Sequence, residues 1–213
     1  MIVLGLTGSI GMGKSTTARL FAEAGAAVWD ADAAVHALYE RGGRAVAPVK
    51  ALFPDAVVDG AVDRARLAQA LGADAAAFAR LEAVVHPLVA EHRLEELARA
   101  ERDGTLLAVL DIPLLFEKGL EALTDAVVVV TADPEIQAAR VLARPGMTRE
   151  RLDALLARQL PDAEKRRRAD FLIDTGQGIE PARRRVADIV ALATDPLWTP
   201  PRRRLHPRAE PGQ

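Results

Sequence analysis

The chain alternates between short apolar runs and longer stretches whose apolar residues recur every three or four positions. Ile2–Leu6 is the first run, read as a buried parallel strand. Thr16–Ala24 follows as a helix, with Ala18, Phe21 and Ala22 on one face and Gly25 placed as its stop. Ala26–Trp29 is a second strand ending in Asp30-Ala31-Asp32. A helix then carries Val35, Leu38 and Tyr39 on one side as far as Gly42-Gly43. Residues 44–104 read as mostly helical. Leu67 and Leu71 mark one helix, and Phe78, Leu81, Val85, Leu88 and Val89 mark another, in which Pro87 is expected to kink the helix or start a new one.

Beyond the turn at Asp103-Gly104 the strands return. Leu106–Leu110 ends at Asp111, and Ala126–Ala132 contains four consecutive valines. Asp133 and Pro134 have the residue types of an N-cap and a first helical position. Pro145-Gly146 breaks that helix, and Thr148 opens another with Leu152, Leu155, Leu156 and Leu160 on one side. Phe171–Ile173 is a last strand, and Val186, Ile189, Val190 and Ala193 mark a closing helix. From Pro196 the chain turns to proline and arginine, so a loose tail is expected. Strands alternating with helices predict an α/β fold with a parallel sheet covered on both faces, and ligands at the carboxyl ends of its strands. Asp30, Asp32 and Asp111 all fall at that edge.

So does Gly8-Ser9-Ile10-Gly11-Met12-Gly13-Lys14-Ser15, which matches the phosphate-binding loop G-x-x-x-x-G-K-[ST] between a strand and a helix. Glycines at 8, 11 and 13 let the backbone come close to phosphates. Turned N–H groups and the helix N-terminus face the anion, with Gly11, Met12, Gly13, Lys14, Ser15 and Thr16 forming the cradle. Lys14 supplies a cation for the β- and γ-phosphates, and Ser15 a hydroxyl for Mg²⁺. ATP and Mg²⁺ are the cofactors this implies.

Composition narrows the class. The 213 residues suit one domain or a core with a modest insertion, and half of them are hydrophobic. A net charge of −2 argues against a nucleic-acid scaffold. Without cysteine there are no disulfides or thiolate metal sites. No apolar run reaches membrane-spanning length, and no basic leader precedes the first strand, so a soluble cytoplasmic protein is expected. The sequence contains no asparagine, which removes the N-K-x-D base reader of switch GTPases, and it has no L-S-G-G-Q segment. A small kinase acting on a metabolite or nucleotide remains.

Such a kinase needs a group to orient and deprotonate the acceptor hydroxyl. Asp32 is the candidate. Asp30 either assists it or caps the following helix. Asp111 resembles a Walker-B acid that touches Mg²⁺ directly or through water. Arg140, Arg144, Arg149, Arg151 and Arg158 crowd a broken helical stretch suited to a closing lid, with Arg140 and Arg144 flanking the break. The run Lys165–Arg168 reads as solvated surface, as does Arg202–Arg204.

Several segments together resemble the dephospho-coenzyme A kinase family. Thr7–Thr16 is similar to its T-G-G-I-G-S-G-K-S-T opening. Asp30-Ala31-Asp32, His86-Pro87, Pro113–Glu117 (P-L-L-F-E), Arg158-Gln159 and Ala169–Asp174 follow in the family's order. Ser9, Met12 and the missing asparagine after Asp174 depart from it. The resemblance implies phosphorylation of the ribose 3′-hydroxyl of dephospho-coenzyme A by ATP, the last step of coenzyme A synthesis. It implies a three-layer fold like that of P-loop nucleoside triphosphate hydrolases, with a helical substrate-binding insertion and a lid. The core would be 1–43, 105–136 and 171–195, the substrate domain 44–104, the lid 137–170 and the tail 196–213. By resemblance Asp32 is the base, Arg140 a lid contact to phosphate, and Thr7 and His86 lie on the substrate side, though His86 also suits a structural cap. The partner is the small-molecule substrate, with no nucleic acid or membrane, in a monomer or weak homo-oligomer. Another small P-loop kinase, or a non-catalytic ATP-dependent switch, is the rival reading.

Overall fold

The computed structural model describes residues 1–202. The elements in chain order are β1 (Ile2–Thr7), α1 (Lys14–Glu23), β2 (Ala27–Asp30), α2 (Ala31–Tyr39), α3 (Val46–Leu52), β3 (Val57–Val58), β4 (Ala61–Val62), α4 (Arg64–Leu71) and α5 (Ala75–Arg102). Then come β5 (Leu107–Asp111), β6 (Ala126–Thr131), α6 (Pro134–Leu142), α7 (Arg149–Leu156), α8 (Asp162–Arg168), β7 (Phe171–Asp174) and α9 (Ile179–Ala193). Among the described residues no helix is long and apolar enough to cross a membrane.

The main sheet has the order β2-β5-β1-β6-β7. β1 lies between β5 and β6, parallel to both, with Leu6 opposite Asp111 and Thr7 opposite Val129. Strands buried on both faces account for the unbroken valines of β6, every one of which is fully buried. The chain divides into two compact units. One comprises Met1–Val28 with residues 100–202, and the other Trp29–Arg99.

In the first unit Leu4, Leu6, Val128 and Val130 pack with Phe21 of α1 and with Val186 and Ile189 of α9. At about 25 cal/mol per Å² of apolar surface, each such side chain contributes roughly 1.5–3 kcal/mol on burial. The tail expected to be loose is in part docked here. Trp198 packs on Phe171 at 6.3 Å between ring centroids, and Arg202 pairs with Asp170. Residues 203–213, including Arg203 and Arg204, lie outside the described residues.

The second unit buries Leu38, Tyr39, Val49, Leu67, Leu71 and Val85 in a core of its own. α2, read from the sequence with the nucleotide core, gives Leu38 and Tyr39 to this one. The β3–β4 hairpin interrupts the stretch read as mostly helical, and its signal is Asp59-Gly60 between two apolar pairs, with φ of +51° and +80° at the turn. Pro87 does not end its helix, because α5 runs continuously through it. Only the carbonyl of Ala83 loses an i+4 donor there, while Val85, Leu81, Leu88 and Val89 keep the helix packed.

Candidate nucleotide-binding and active site

The phosphate loop leaves the central strand and enters α1. Gly11 and Gly13 have φ of +81° and +89°, a region that strains any side chain. A Cβ on Gly11 would sit 2.5 Å from Val141 Cγ2, and one on Gly8 would sit 2.7 Å from the Val130 carbonyl oxygen. All three glycines are thus required by close approach or by torsion. Gly13 is the N-cap of α1, and no side chain caps the helix. Its first N–H groups and the positive end of its dipole therefore point outward as an anion site.

The loop is braced from several sides. Thr175, just beyond β7, donates its hydroxyl to the Met12 carbonyl at 2.8 Å. Arg140 of α6 donates to Thr175 Oγ1 and to the Thr175 carbonyl, both at 2.8 Å. Gln137 Nε2 donates to the Ile10 carbonyl at 2.7 Å, and the Ile10 N–H donates to Gln159 Oε1 at 3.1 Å. The Met12 side chain is 2% exposed, and its sulfur accepts from the Ala132 N–H at 3.1 Å. A methionine at this free position of the motif is therefore a core residue that fastens the loop.

Lys14 pairs with Asp111, which ends β5 and is 2% exposed. Ser15 follows on the exposed first turn of α1. A cavity of about 330 Å³, within the size range of small-molecule sites, is lined by Gly11, Gly13, Thr16, Arg140, Arg144 and Thr175 among others. Thr7, fully buried, donates its hydroxyl to the Pro113 carbonyl at 3.0 Å. Of the remaining arginines expected in a lid, Arg149 pairs with Asp153 at 3.4 Å, Arg151 bonds the Gly146 carbonyl, and Arg158 is exposed. The first unit thus brings the loop, Asp111, Arg140, Arg144 and Thr175 together.

Asp32 and His86 belong to the second unit. Asp30 caps α2: its Oδ1 accepts from the N–H groups of Asp32 and Ala33 at 2.8 and 3.0 Å. Asp32 lies in the first turn, exposed, and its carboxylate has no hydrogen-bond or ion-pair partner among the described residues. His86 is an exposed residue in the middle of α5, 3.6 Å from Glu82, and so caps no helix.

The run Lys165–Arg168, read from sequence as solvated, is in part interior. Lys165 has no exposed surface and pairs with Glu117 Oε1 at 2.8 Å. Arg168 pairs with Glu121 and stacks 4.4 Å above the Phe116 ring. Glu117 Oε1 also accepts the Leu160 N–H at 2.7 Å. Burial pushes the Glu117 carboxyl up, but Lys165 and the backbone N–H donors outweigh it and hold the group below its ordinary value. Gln137, Gln159 and Lys165 were missed as functional supports. Only the R-Q pair at 158–159 gave any hint.

The model of the CoaE family, described as dephospho-CoA kinase, matches residues 2–180. A dephospho-CoA kinase of Rhodopseudomonas palustris (strain BisB18) is 60% identical over 191 residues, covering 90% of this chain and 95% of that protein. A crystal structure from Thermus thermophilus is 40% identical with a TM-score of 0.78, covering 89% and 96% of the two chains. A dephospho-CoA kinase from Campylobacter jejuni, 22% identical with a TM-score of 0.62 over 90% and 96%, shares the fold. With a phosphate loop built as described and a family match spanning most of its length, the chain belongs to the dephospho-CoA kinase family.

Proposed function

We propose that this kinase transfers the γ-phosphoryl group of ATP to the ribose 3′-hydroxyl of dephospho-coenzyme A, giving coenzyme A and ADP. The observation that carries this reading is the glycine-strained loop at the open N-terminus of α1, with Lys14 and Arg140 set beside it. Main-chain N–H groups and Lys14 bind the polyphosphate. Arg140, held in one orientation by its two bonds to Thr175, presents positive charge toward the cavity. Arg144 lines the same cavity and adds a second cation.

Asp32 acts as the base. With Asp30 engaged in capping α2, Asp32 is the member of the D-A-D pair free to take a proton. The acceptor's 3′-oxygen forms a bond to the γ-phosphorus, the bond to the β,γ-bridging oxygen breaks, and the hydroxyl proton passes to Asp32. Thr7 and His86 belong to the substrate side of this reading. Ser15 and Asp111 are the groups that would hold Mg²⁺. One hydroxyl and one carboxylate suit an ion that takes its other ligands from phosphates and water. Among the described residues no three-residue cluster of His, Asp or Glu forms a metal cage. When bound, the ion neutralises charge on the β- and γ-oxygens.

ADP release measured with dephospho-coenzyme A, AMP, dTMP or gluconate as acceptor tests the proposal. Turnover dependent on dephospho-coenzyme A is expected. Turnover with another acceptor alone, or ATP binding with no acceptor-dependent turnover, would replace the reading by one of its rivals.

A further inference from the structure

The peptide groups on either side of Ile10 are held by two neutral amide side chains, one from α6 and one from the junction between α7 and α8. Ile10 N–H goes to Gln159 Oε1 at 3.1 Å, and Ile10 C=O receives Gln137 Nε2 at 2.7 Å. A trans peptide points its C=O and N–H in opposite directions. Gln159 therefore turns the Ser9 carbonyl the other way, where it accepts the Met12 N–H at 3.1 Å and closes the turn of the loop. Gln137 likewise turns the Gly11 N–H away from its own amide, and Gly11 lines the cavity. The two side chains together set the orientation of the loop's leading peptides.

Gln159 stands on a fixed mount. The next residue, Leu160, donates its N–H to Glu117 at 2.7 Å. Three residues on, Asp162 Oδ2 accepts the Thr131 hydroxyl at 2.8 Å, and Lys165 is buried against Glu117. The chain just after Gln159 is thus fastened at three points, to the loop at Glu117 through Leu160 and Lys165 and to the end of β6 through Asp162. We infer that Gln159 is a positioning residue for phosphoryl transfer: it pre-sets the phosphate loop through Ile10 and touches no substrate itself. This rests on the reading of the loop as the ATP site.

A loop that must order itself on binding loses affinity for nucleotide, whereas the acceptor's affinity is set elsewhere. The test compares Gln159→Leu, which removes the acceptor atom at similar size, with Gln159→Glu, which keeps one. ATP affinity is read by calorimetry, KM for dephospho-coenzyme A by turnover, and the Ile10 N–H by amide hydrogen exchange. The Leu variant is expected to bind ATP about tenfold more weakly, the scale of one lost hydrogen bond. Its Ile10 N–H exchanges faster, and its KM for the acceptor stays within about twofold of wild type. The Glu variant recovers at least about a threefold share of the affinity. Gln159→Ser, too short to reach Ile10, serves if the Leu variant does not fold. Unchanged ATP affinity, unchanged exchange at Ile10, or equal damage in the Leu and Glu variants overturns the inference. Wild-type protein that bound no ATP would remove the site reading beneath it, whereas wild-type binding with an unaltered Leu variant removes this inference alone.

Discussion

Lys165, with no exposed surface, is ion-paired with Glu117 at 2.8 Å across the base of α8. Breaking a buried pair leaves an uncompensated charge in a poorly solvated place. Lys165→Met is therefore expected to destabilise the fold by about 3–5 kcal/mol. Adding Glu117→Gln to it should restore part of the loss. Urea denaturation of the three proteins checks both expectations, and a single variant as stable as wild type would show that the pair carries no structural weight.

The same carboxylate gives a pH dependence of known sign. Glu117 has a folded pKa below its unfolded one. Its contribution is thus fully present above the unfolded value and is lost as pH falls through the folded one. Wild-type stability should fall more steeply below the ordinary carboxylate range than that of Glu117→Gln. Parallel curves of denaturation midpoint against pH would contradict this.

What local patterns can express was legible in the sequence: the valine strand β6, the helix break at Pro145-Gly146 and the phosphate loop with its flanking elements. What depends on distant partners was not. A K-R-R-R run has the composition of a wetted helix face, and Lys165 is interior only because Glu117 comes from a loop far back in the chain. Gln137 and Gln159 are neutral amides with no periodic or charge signature, and although the R-Q pair marked Gln159, nothing local told that both grip Ile10. The tail's composition concealed that one tryptophan and one arginine are enough to dock it. Asp30 lay between two readings, and only the geometry of the α2 cap decided for capping.

Asp32→Asn keeps size and polarity but removes the proton acceptor. On the proposed mechanism kcat falls about 10²–10⁴-fold, the contribution typical of a general base. ATP affinity by calorimetry stays within about twofold of wild type, since the base contacts the acceptor. Unchanged turnover would take Asp32 out of the chemistry.

Gly13 and Gly25 share a left-handed torsion but not an environment. A Cβ on Gly13 meets Thr175 Oγ1 at 3.0 Å, whereas one on Gly25 meets nothing within 4 Å. Both alanine variants incur backbone strain of about 1–3 kcal/mol. Only Gly13→Ala also displaces the residue that orients Arg140, so it alone should weaken ATP binding, by about tenfold or more. Thermal melts together with nucleotide titrations separate the two effects.

Arg140→Lys retains the charge but cannot span both the hydroxyl and the carbonyl of Thr175, which the planar guanidinium does. A fall in kcat of about tenfold or more is expected, with the fold intact by circular dichroism. Wild-type kinetics in this variant would mean that fixed orientation at position 140 does not matter.

The placement of β1 in the middle of the sheet has a bearing on how the protein is made. The ribosome delivers the phosphate loop well before its braces, which come from residues 132, 137, 140, 159 and 175. A nascent chain halted before Ala126 carries the entire motif as letters, with one flank of β1 still bare. Nucleotide capture is thus a late event in biosynthesis, granted only when the segments that follow have emerged and closed around the loop.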